Sequence, residues 1–463
     1  MGMISQSVAE RVLNAAGETG GDFAELYMEN GCSSRVSMRG GVVENAAYSE
    51  SCGAGVRVLK GTRQVYAYTA ETSEEALIAT ARAAAAALDG VGEGREIAFA
   101  ATAYGATAQI PTGSVKNDRR IALLRDGTNA AKAVSSEIVQ VSAQIQDSHK
   151  DVFICNSNGV WATDKRPSAR YYISVAASDG TEMQTGGEGP GRGMGFETFD
   201  QFDVAAISEA AARRAVTMLH APECPAGAVP VVIDGGFGGV IFHEACGHSL
   251  EATAVSKGNS EFFGMLGKPI AAPCVTAIDD GTIPGAGGSI GCDDEGTPSA
   301  RRVLIENGIL CSYMVDLLGS RRMGLPVTGN SRRQDYSFAP TSRMTNTYIA
   351  AGSDDEEAMI RTMGDGLFAK AMGGGSVNPL TGEFNFSVSE GYWVKNGEIL
   401  TPVRGATLVG KGSEILMKID RVGREMWMAQ GVCGSMSGSV RTNVGQPRIR
   451  VSQLTVGGKG GAL

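Results

Sequence analysis

Glycine is the residue that most constrains the fold, because it occupies 64 of the 463 positions. It adopts positive φ angles without steric cost, so a chain this rich in glycine favours turns, hairpins and close backbone contacts. Two Asn-Gly pairs, at 307–308 and 396–397, each stand between extended runs. That pattern is typical of a two-residue β-hairpin turn. Residues 228–463 are therefore predicted to form mostly antiparallel sheet.

The first half of the chain alternates helical and extended patterns. Helices are predicted at the amino end, over "TSEEALIATARAAAAALDG", over "NDRRIALLRDGTNAAKAVS" and from about 203 to 220. Thr72 and Glu75 have the spacing of a capping box for the second helix. Short extended segments such as "FAELYMEN" and "SRVSMRG" predict an antiparallel meander, and two later strands are predicted to meet near residues 149–151.

A proline-rich stretch, "HAPECPAGAVP", marks the predicted domain boundary. The predicted class is α+β with two domains. Residues 1–225 would form an N-terminal α/β domain with an antiparallel sheet and helices. Residues 226–463 would form a mostly antiparallel β domain that carries one functional helix.

Charge and cysteine content narrow the functional classes. There are 41 basic and 50 acidic residues, a net charge of −9, and no run of like charges typical of nucleic-acid or membrane binding. No apolar stretch approaches a membrane span, and the amino end has no signal-peptide pattern. Nine cysteines without paired spacing predict reduced thiols. We expect a cytoplasmic protein with no nucleic-acid or membrane partner.

The stretch "GVIFHEACGHSLEA" contains His243, Glu244 and His248. Two imidazoles with an adjacent carboxylate are suited to hold Zn²⁺ and to place a base beside bound water. On a regular helix, however, five residues advance about 500°, so the two histidines would point about 140° apart. A π-type turn reduces that offset to about 50°, and Gly247 supplies backbone freedom for a bulge or break. A distorted helix is predicted.

The residues alone leave the third metal ligand open. The candidates are Cys246, Cys292, Cys433 and the acidic run Asp293, Asp294 and Glu295. Binding by Cys246 would place three ligands on one turn of the helix. The acidic run is more simply interpreted as a solvated loop. Cys433 stands near the chain's end between glycines, and we expect it in a loop able to approach a metal.

Two glycine-rich segments have alternative interpretations. Residues 185–195, "TGGEGPGRGMG", are interpreted as a flexible loop, since no clear helix follows as a phosphate-binding loop requires. Residues 371–387, "AMGGGSVNPLTGEFNFS", could offer a sheet edge for an extended peptide or form a tight turn before a hairpin. His149 and His220 are predicted to be surface or structural residues.

A family resemblance bears on the third ligand. The segments "FHEACGHSLEA", "DDGTIPGAGGSIGCDDEGTPSARRVLIENGILCSYMVD", "TGNSRRQDYSFAPTSRMTNTYIAAG" and "VCGSMSGSVRTNVGQPRIRVSQLTVGG" closely resemble the TldD/PmbA family of metalloproteases. The likeness is to the TldD-type members, which carry His-Glu-x-x-x-His. It covers about residues 229–457, and the first half matches only in length and general pattern.

The resemblance implies a specific site. His243, His248 and Cys433 would bind Zn²⁺, and Glu244 would be the catalytic base acting on metal-bound water. The implied activity is hydrolysis of peptide bonds in short or unfolded peptides. The resemblance also implies a dimer that encloses a chamber. The dimer would be a homodimer, or a heterodimer with a paralogue lacking the zinc motif, and the N-terminal domain would contribute to the chamber and to the dimer interface.

An alternative of another class is a non-catalytic binding or regulatory subunit of a TldD/PmbA-type complex. A closed site with a fourth protein ligand would favour it, because structural zinc sites have four protein ligands. A nucleotide-dependent enzyme using residues 185–195 is a third alternative.

Overall fold

The computed structural model describes residues 4–378 and 380–461. The described residues of the first half form eight strands, four α-helices and a 3₁₀ helix at Phe196–Asp200. The strands are β1 (Phe23–Arg39), β2 (Val42–Lys60), β3 (Arg63–Thr69), β4 (Ala100–Ala103), β5 (Ile138–Asn156), β6 (Val160–Ser178), β7 (Met183–Glu188) and β8 (Gly191–Arg192). The helices are α1 (Gln6–Gly17), α2 (Glu74–Ala85), α3 (Asn117–Ala133) and α4 (Val204–Leu219).

These eight strands form one sheet in the order β3-β2-β1-β5-β6-β4, with β7 and β8 also pairing with β6. Successive side chains of a strand point to opposite faces. In β1, Leu26 and Met28 pack in a core with α1 and α2, and Val36 packs in a core with α3 and α4. The odd-numbered Tyr27 instead packs with Cys292 of the second half. The helices thus cover one face, and the second half of the chain contacts the other.

Some details of the first half differ from the sequence predictions. Ser73, not Thr72, caps α2, because the Ser73 side chain accepts a hydrogen bond from the Ala76 amide. The predicted breaks in β1 and near residues 149–151 are wrong, since β1 and β5 run without interruption through those positions. Much of the glycine-rich segment 185–195 is strand, paired with β6 along β7 and β8, rather than a flexible loop.

The second half contains fifteen described strands and five α-helices. The strands are β9 (Gly227–Ile233), β10 (Ala277–Asp280), β11 (Arg301–Glu306), β12 (Ile309–Leu310), β13 (Ser331–Arg332), β14 (Thr341–Ser342), β15 (Asn346–Ile349), β16 (Gly366–Val377), β17 (Glu383–Lys395), β18 (Glu398–Val403), β19 (Thr407–Lys411), β20 (Ile419–Val422), β21 (Trp427–Ser435), β22 (Gly438–Gln446) and β23 (Ile449–Gly457). The helices are α5 (Val240–Ala245), α6 (Ala252–Val255), α7 (Leu317–Met323), α8 (Glu356–Arg361) and α9 (Gly412–Lys418).

Strands β16, β9, β23, β19 and β17 pair in that order, and β16 also pairs with β17, which closes a five-stranded barrel. A second sheet has the order β12-β11-β10-β15-β22-β21. Both Asn-Gly hairpins are confirmed, because Asn307 and Asn396 have φ of 48° and 51° and the following glycines are also positive. The class is α+β as predicted. No helix within residues 4–378 and 380–461 is long and apolar enough to cross a membrane.

The acidic run is not a solvated loop. Asp293, Asp294 and Glu295 are 0, 1 and 5% exposed. Asp294 lies 2.6 Å from Arg166 of β6, and Glu295 lies 2.7 Å from Arg57 of β2. The prediction was wrong because the arginines that pair with Asp294 and Glu295, where the run meets the first sheet, are distant in the sequence.

Candidate metal centre

Helix α5 is held by apolar side chains of the second half. Ile241 and Phe242 are buried in the large core that includes the barrel strands. Gly239, just before the helix, lies against the backbone of β22, and a Cβ there would come within 2.5 Å of Gly445 backbone atoms. The absence of a side chain at Gly239 therefore lets the start of α5 approach the second sheet.

The helix breaks between the two motif histidines. Cys246 still donates its amide hydrogen to Phe242 O at 3.0 Å, but its φ and ψ are −129° and −46°. A 3₁₀ turn follows at Gly247–Leu250. The predicted distortion is confirmed, and its form is a helix break followed by a 3₁₀ turn rather than a π turn.

Gly247 has a different role from the one predicted. It is not among the described glycines with positive φ, so the break does not use its conformational freedom. A Cβ at Gly247 would instead lie 2.3 Å from Met344 Sδ. Glycine is needed here for space against the buried Met344.

The break brings His243 and His248 to the same thiol. His243 Nε2 and His248 Nε2 each lie 3.2 Å from Cys433 Sγ. All three ligand atoms lie within 4.8 Å of one another. Cys433 lies on strand β21, opposite Val440 of β22, rather than in the predicted loop. The sheet ladder therefore fixes the position of the thiol.

The three side chains fit a metal ion. At zinc bond lengths, neighbouring N and S ligands of a tetrahedral site are separated by about 3.3 to 3.6 Å, close to the 3.2 Å found here. Burial, with His248 and Arg343, holds the pKa of His243 well below its usual range, which favours the neutral, metal-binding imidazole. Two imidazoles and a thiol are typical zinc ligands.

Glu251 is a residue of the site that sequence reasoning missed. Its Oε2 lies 3.1 Å from His248 Nδ1, and its Oε1 accepts a hydrogen bond from the Met344 amide at 3.3 Å. Burial alone would lower the pKa of His248, but Glu251 and Cys433 raise it well above its usual range. A carboxylate on Nδ1 orients the ring and directs the Nε2 lone pair toward the thiol. Its place eight residues after His243 was the available signal.

Arg343 was also missed. This fully buried side chain donates from Nη2 to Cys433 O at 2.5 Å and from Nη1 to Gly438 O at 2.8 Å. Its Nε lies 3.9 Å from Glu251 Oε1. Arg343 therefore ties together the β21–β22 hairpin and the carboxylate behind His248.

Glu244 lies at the edge of the ligand cluster. Its Oε2 is 3.7 Å from His248 Nε2, and its side chain keeps 23% exposure. Burial is the main cause that raises the pKa of Glu244, and Glu251 adds to it. A carboxyl with a raised pKa exchanges protons more readily near neutral pH than an ordinary surface glutamate.

The other sequence candidates lie elsewhere. Among the described residues, the mutually close group of metal-binding atoms contains His243, His248 and Cys433 only, so neither Cys246 nor Cys292 belongs to it. His149 pairs with Asp151 and His220 with Glu137, at 2.9 and 2.8 Å, in agreement with structural roles.

Fold and site together define a protein with a barrel-containing second half and a candidate His/His/Cys metal centre. Three family models match the chain: PmbA/TldA metallopeptidase domain 1 over residues 24–88, the central domain over 110–219 and the C-terminal domain over 226–458. The chain belongs to the PmbA/TldD family of metallopeptidases, as the sequence motifs indicated.

Individual relatives agree with this assignment. The chain is 35% identical to the metalloprotease TldD homolog of Haemophilus influenzae, over 94% of this chain and 93% of that protein. It is 33% identical, with the same coverage, to the metalloprotease TldD homolog of Buchnera aphidicola subsp. Acyrthosiphon pisum. The crystal structure of TldE from Thermococcus kodakarensis shares the fold with a TM-score of 0.77 at 19% identity, over 97% of this chain and 99% of that one.

Proposed function

We propose that this protein is a zinc-dependent metallopeptidase that hydrolyses peptide bonds of short or unfolded peptides, with Glu244 as general base. The observation that most directly supports this proposal is that His243 Nε2, His248 Nε2 and Cys433 Sγ converge, with Glu244 beside them. Three protein ligands with a nearby carboxylate suit a catalytic site, whereas a structural site has four protein ligands. The group found among the described residues has three, which does not favour the non-catalytic subunit.

The choice of zinc follows from the donor set. Imidazole and thiolate are preferred by Zn²⁺, while Mg²⁺ and Ca²⁺ prefer oxygen ligands. The relatives from Haemophilus influenzae and Buchnera aphidicola are named metalloproteases, which supports a metal-dependent peptidase. When bound, the ion would lower the pKa of a water molecule and polarise the substrate carbonyl.

The protein's own part in the chemistry is proton transfer and positioning. Glu244 would accept a proton from the attacking water and deliver it to the leaving amine, so one carboxylate serves both steps. Its raised pKa suits this exchange. Glu251 would keep His248 in one tautomer, and Arg343 would hold the strand that carries Cys433.

A cleft between the two halves of the chain offers space for an extended peptide. It has a volume of about 750 Å³ and is lined by residues 371–374 of β16, by residues 185–191 near β7 and β8, and by residues 428–430 of β21. Among described residues, β16 pairs with β9 only over Leu367–Ala369, while β17 covers its other side. The remaining edge of β16 has amide and carbonyl groups to which a substrate strand could be added.

This arrangement also suggests a role for the glycine-rich segment. Residues 185–191 would form one wall of the substrate cleft, and their small size would let a peptide backbone come close.

We further propose that the protein is cytoplasmic. It would act as a homodimer, or as a heterodimer with a paralogue lacking the zinc motif, and residues 1–225 would contribute to the chamber and the dimer. The mass of the purified complex tests the dimer.

The proposal is tested by zinc content and peptide hydrolysis in two cysteine variants. Cys433→Ala should lose bound zinc and activity. Cys246→Ala is the matched control, since Cys246 is also buried, lies between the two motif histidines and is outside the ligand group. It should retain both. Full zinc occupancy and activity in Cys433→Ala would refute the assignment of the third ligand.

A further inference from the structure

A cavity of about 280 Å³ lies where the first sheet meets the second half of the chain. One wall comes from β1, β2 and β5, and the other from residues 287–290, 332–334 and 439–441. Its described lining has six serines and no aspartate or glutamate. The basic side chains of that lining, besides His149, are Lys150, Arg166, Arg332, Arg333 and Arg441.

Three of the five cations are neutralised by carboxylates outside the cavity lining. The pairs are Lys150 with Glu29 at 2.9 Å, Arg166 with Asp164 at 2.7 Å and Asp294 at 2.6 Å, and Arg333 with Glu25 at 2.8 Å. The positive charges of these three side chains are therefore largely compensated without a counterion in the cavity.

Arg332 and Arg441 have only neutral partners. Arg332 donates to Met344 O at 2.5 Å and to Arg441 O at 2.7 Å, and Arg441 donates to Ser148 Oγ at 3.3 Å. Neither has an ion pair with a carboxylate in the described part of the chain. Burial is the main cause that lowers the pKa of each to about 10, and the positive charge of Arg166 adds to it, whereas Asp294 and Asp279 partly oppose the shift at Arg332.

Two cavity-lining arginines that no described carboxylate contacts are unfavourable, because desolvation of a charge is costly unless an opposite charge compensates it. The chain carries nine more acidic than basic residues, yet none of the acidic side chains lines this cavity. Asp294 and Asp279 partly offset the charge of Arg332, whereas no described carboxylate offsets that of Arg441, so the charge still missing is no greater than that of one phosphate group. A phosphate group carries about −1.5 to −2 at pH 7, whereas a single carboxylate carries −1.

We propose that this cavity binds a phosphate group between Arg332 and Arg441, either as inorganic phosphate or as part of a small phosphomonoester. Guanidinium groups match phosphate oxygens in a planar, paired geometry. The serine hydroxyls, including that of Ser148, supply neutral donors for the remaining oxygens. A volume of about 280 Å³ exceeds that of phosphate alone and leaves room for a small organic group.

The site is distinct from the candidate metal centre. In β22, Val440 is opposite Cys433, while Arg441 is opposite Val432. Neighbouring residues of a strand point to opposite faces, so the side chain of Arg441 points away from the face that carries the Cys433 thiol. Binding here therefore does not require the proposed zinc ion or the proposed peptidase activity.

Isothermal titration of the full-length protein with inorganic phosphate, with glycerol 2-phosphate and with acetate at constant ionic strength tests the proposal. We expect both phosphates to bind more tightly than acetate. The tighter of the two identifies the source as free or esterified phosphate. Arg441→Gln should weaken phosphate binding by about 10-fold or more, because it removes a charged hydrogen-bond donor, and Arg441→Lys should weaken it less.

Arg213→Gln is the control for loss of a positive charge, since Arg213 is exposed on α4, pairs with Glu209 and does not line the cavity among the described residues. It should bind phosphate as the wild type does. Arg332→Gln gives a second measurement at the same cavity. Unchanged phosphate affinity in Arg441→Gln and Arg332→Gln would overturn the proposal. So would loss of phosphate binding in Cys433→Ala with full binding in Arg441→Gln, which would place the anion at the metal centre.

Discussion

Substitution of Glu251 by glutamine tests how the structure prepares His248 to bind a metal. The carboxylate accepts from His248 Nδ1 with one oxygen and from the Met344 amide with the other. Glutamine has the same shape but one acceptor oxygen and one NH₂ donor, so it can satisfy only one of these two donors. The side chain is 3% exposed, and water cannot readily supply the missing acceptor.

We expect Glu251→Gln to weaken zinc binding by about 10- to 100-fold, the range found when the carboxylate behind a metal-binding histidine is removed. The assay is competition with a zinc chelator of known affinity, on protein whose circular dichroism matches the wild type. The control for loss of one negative charge is Glu75→Gln, because Glu75 lies on helix α2 of the first half. An unchanged zinc dissociation constant in folded Glu251→Gln would refute the role of this carboxylate.

Two further predictions concern stability. Gly412→Ala should lower the free energy of unfolding by about 1 to 3 kcal/mol, because a Cβ there would lie 1.9 Å from the Ala245 carbonyl oxygen at the end of α5. Chemical denaturation measures this free energy. The control is Gly17→Ala, which should cause no loss because no atom lies within 4 Å of a Cβ at that position. Burial alone would raise the pKa of Asp294, but its arginine partners lower it below the ordinary 3.8. Ionised Asp294 therefore adds stability above pH 3.8 and loses it as pH falls through the lowered value. In thermal unfolding, the difference in melting temperature between the wild type and Asp294→Asn should shrink at acid pH. A difference that does not change with pH would contradict this.

Local sequence rules predicted much of the fold. The Asn-Gly pairs gave correct hairpins because a type I′ turn requires positive φ at both central residues, which Asn and Gly tolerate. The rules failed where tertiary contacts decide. Gly31, Cys32 and Ser33 separate two extended runs in the sequence, yet β1 continues through them as a strand because β2 and β5 pair with it on both sides.

The three side chains that come together in the candidate site were recognisable from the sequence, whereas the residues that support them were not. His243 and His248 were recognisable by type and spacing, and the family motif pointed to Cys433. The need for glycine at position 247 depends on Met344, which lies about 100 residues away and leaves no local signal. The supporting role of Arg343 could not be predicted for the same reason, because Arg343 donates to carbonyl groups of a hairpin 90 residues further along the chain.

In the proposed mechanism, Glu244 transfers protons at a zinc site formed by His243, His248 and Cys433. The most direct test is hydrolysis of an unstructured peptide by zinc-loaded Glu244→Gln, with bound zinc quantified in the same sample. We predict wild-type zinc content and a loss of hydrolysis of at least about 100-fold, in line with removal of a general base. Hydrolysis at the wild-type rate with zinc bound would contradict the account.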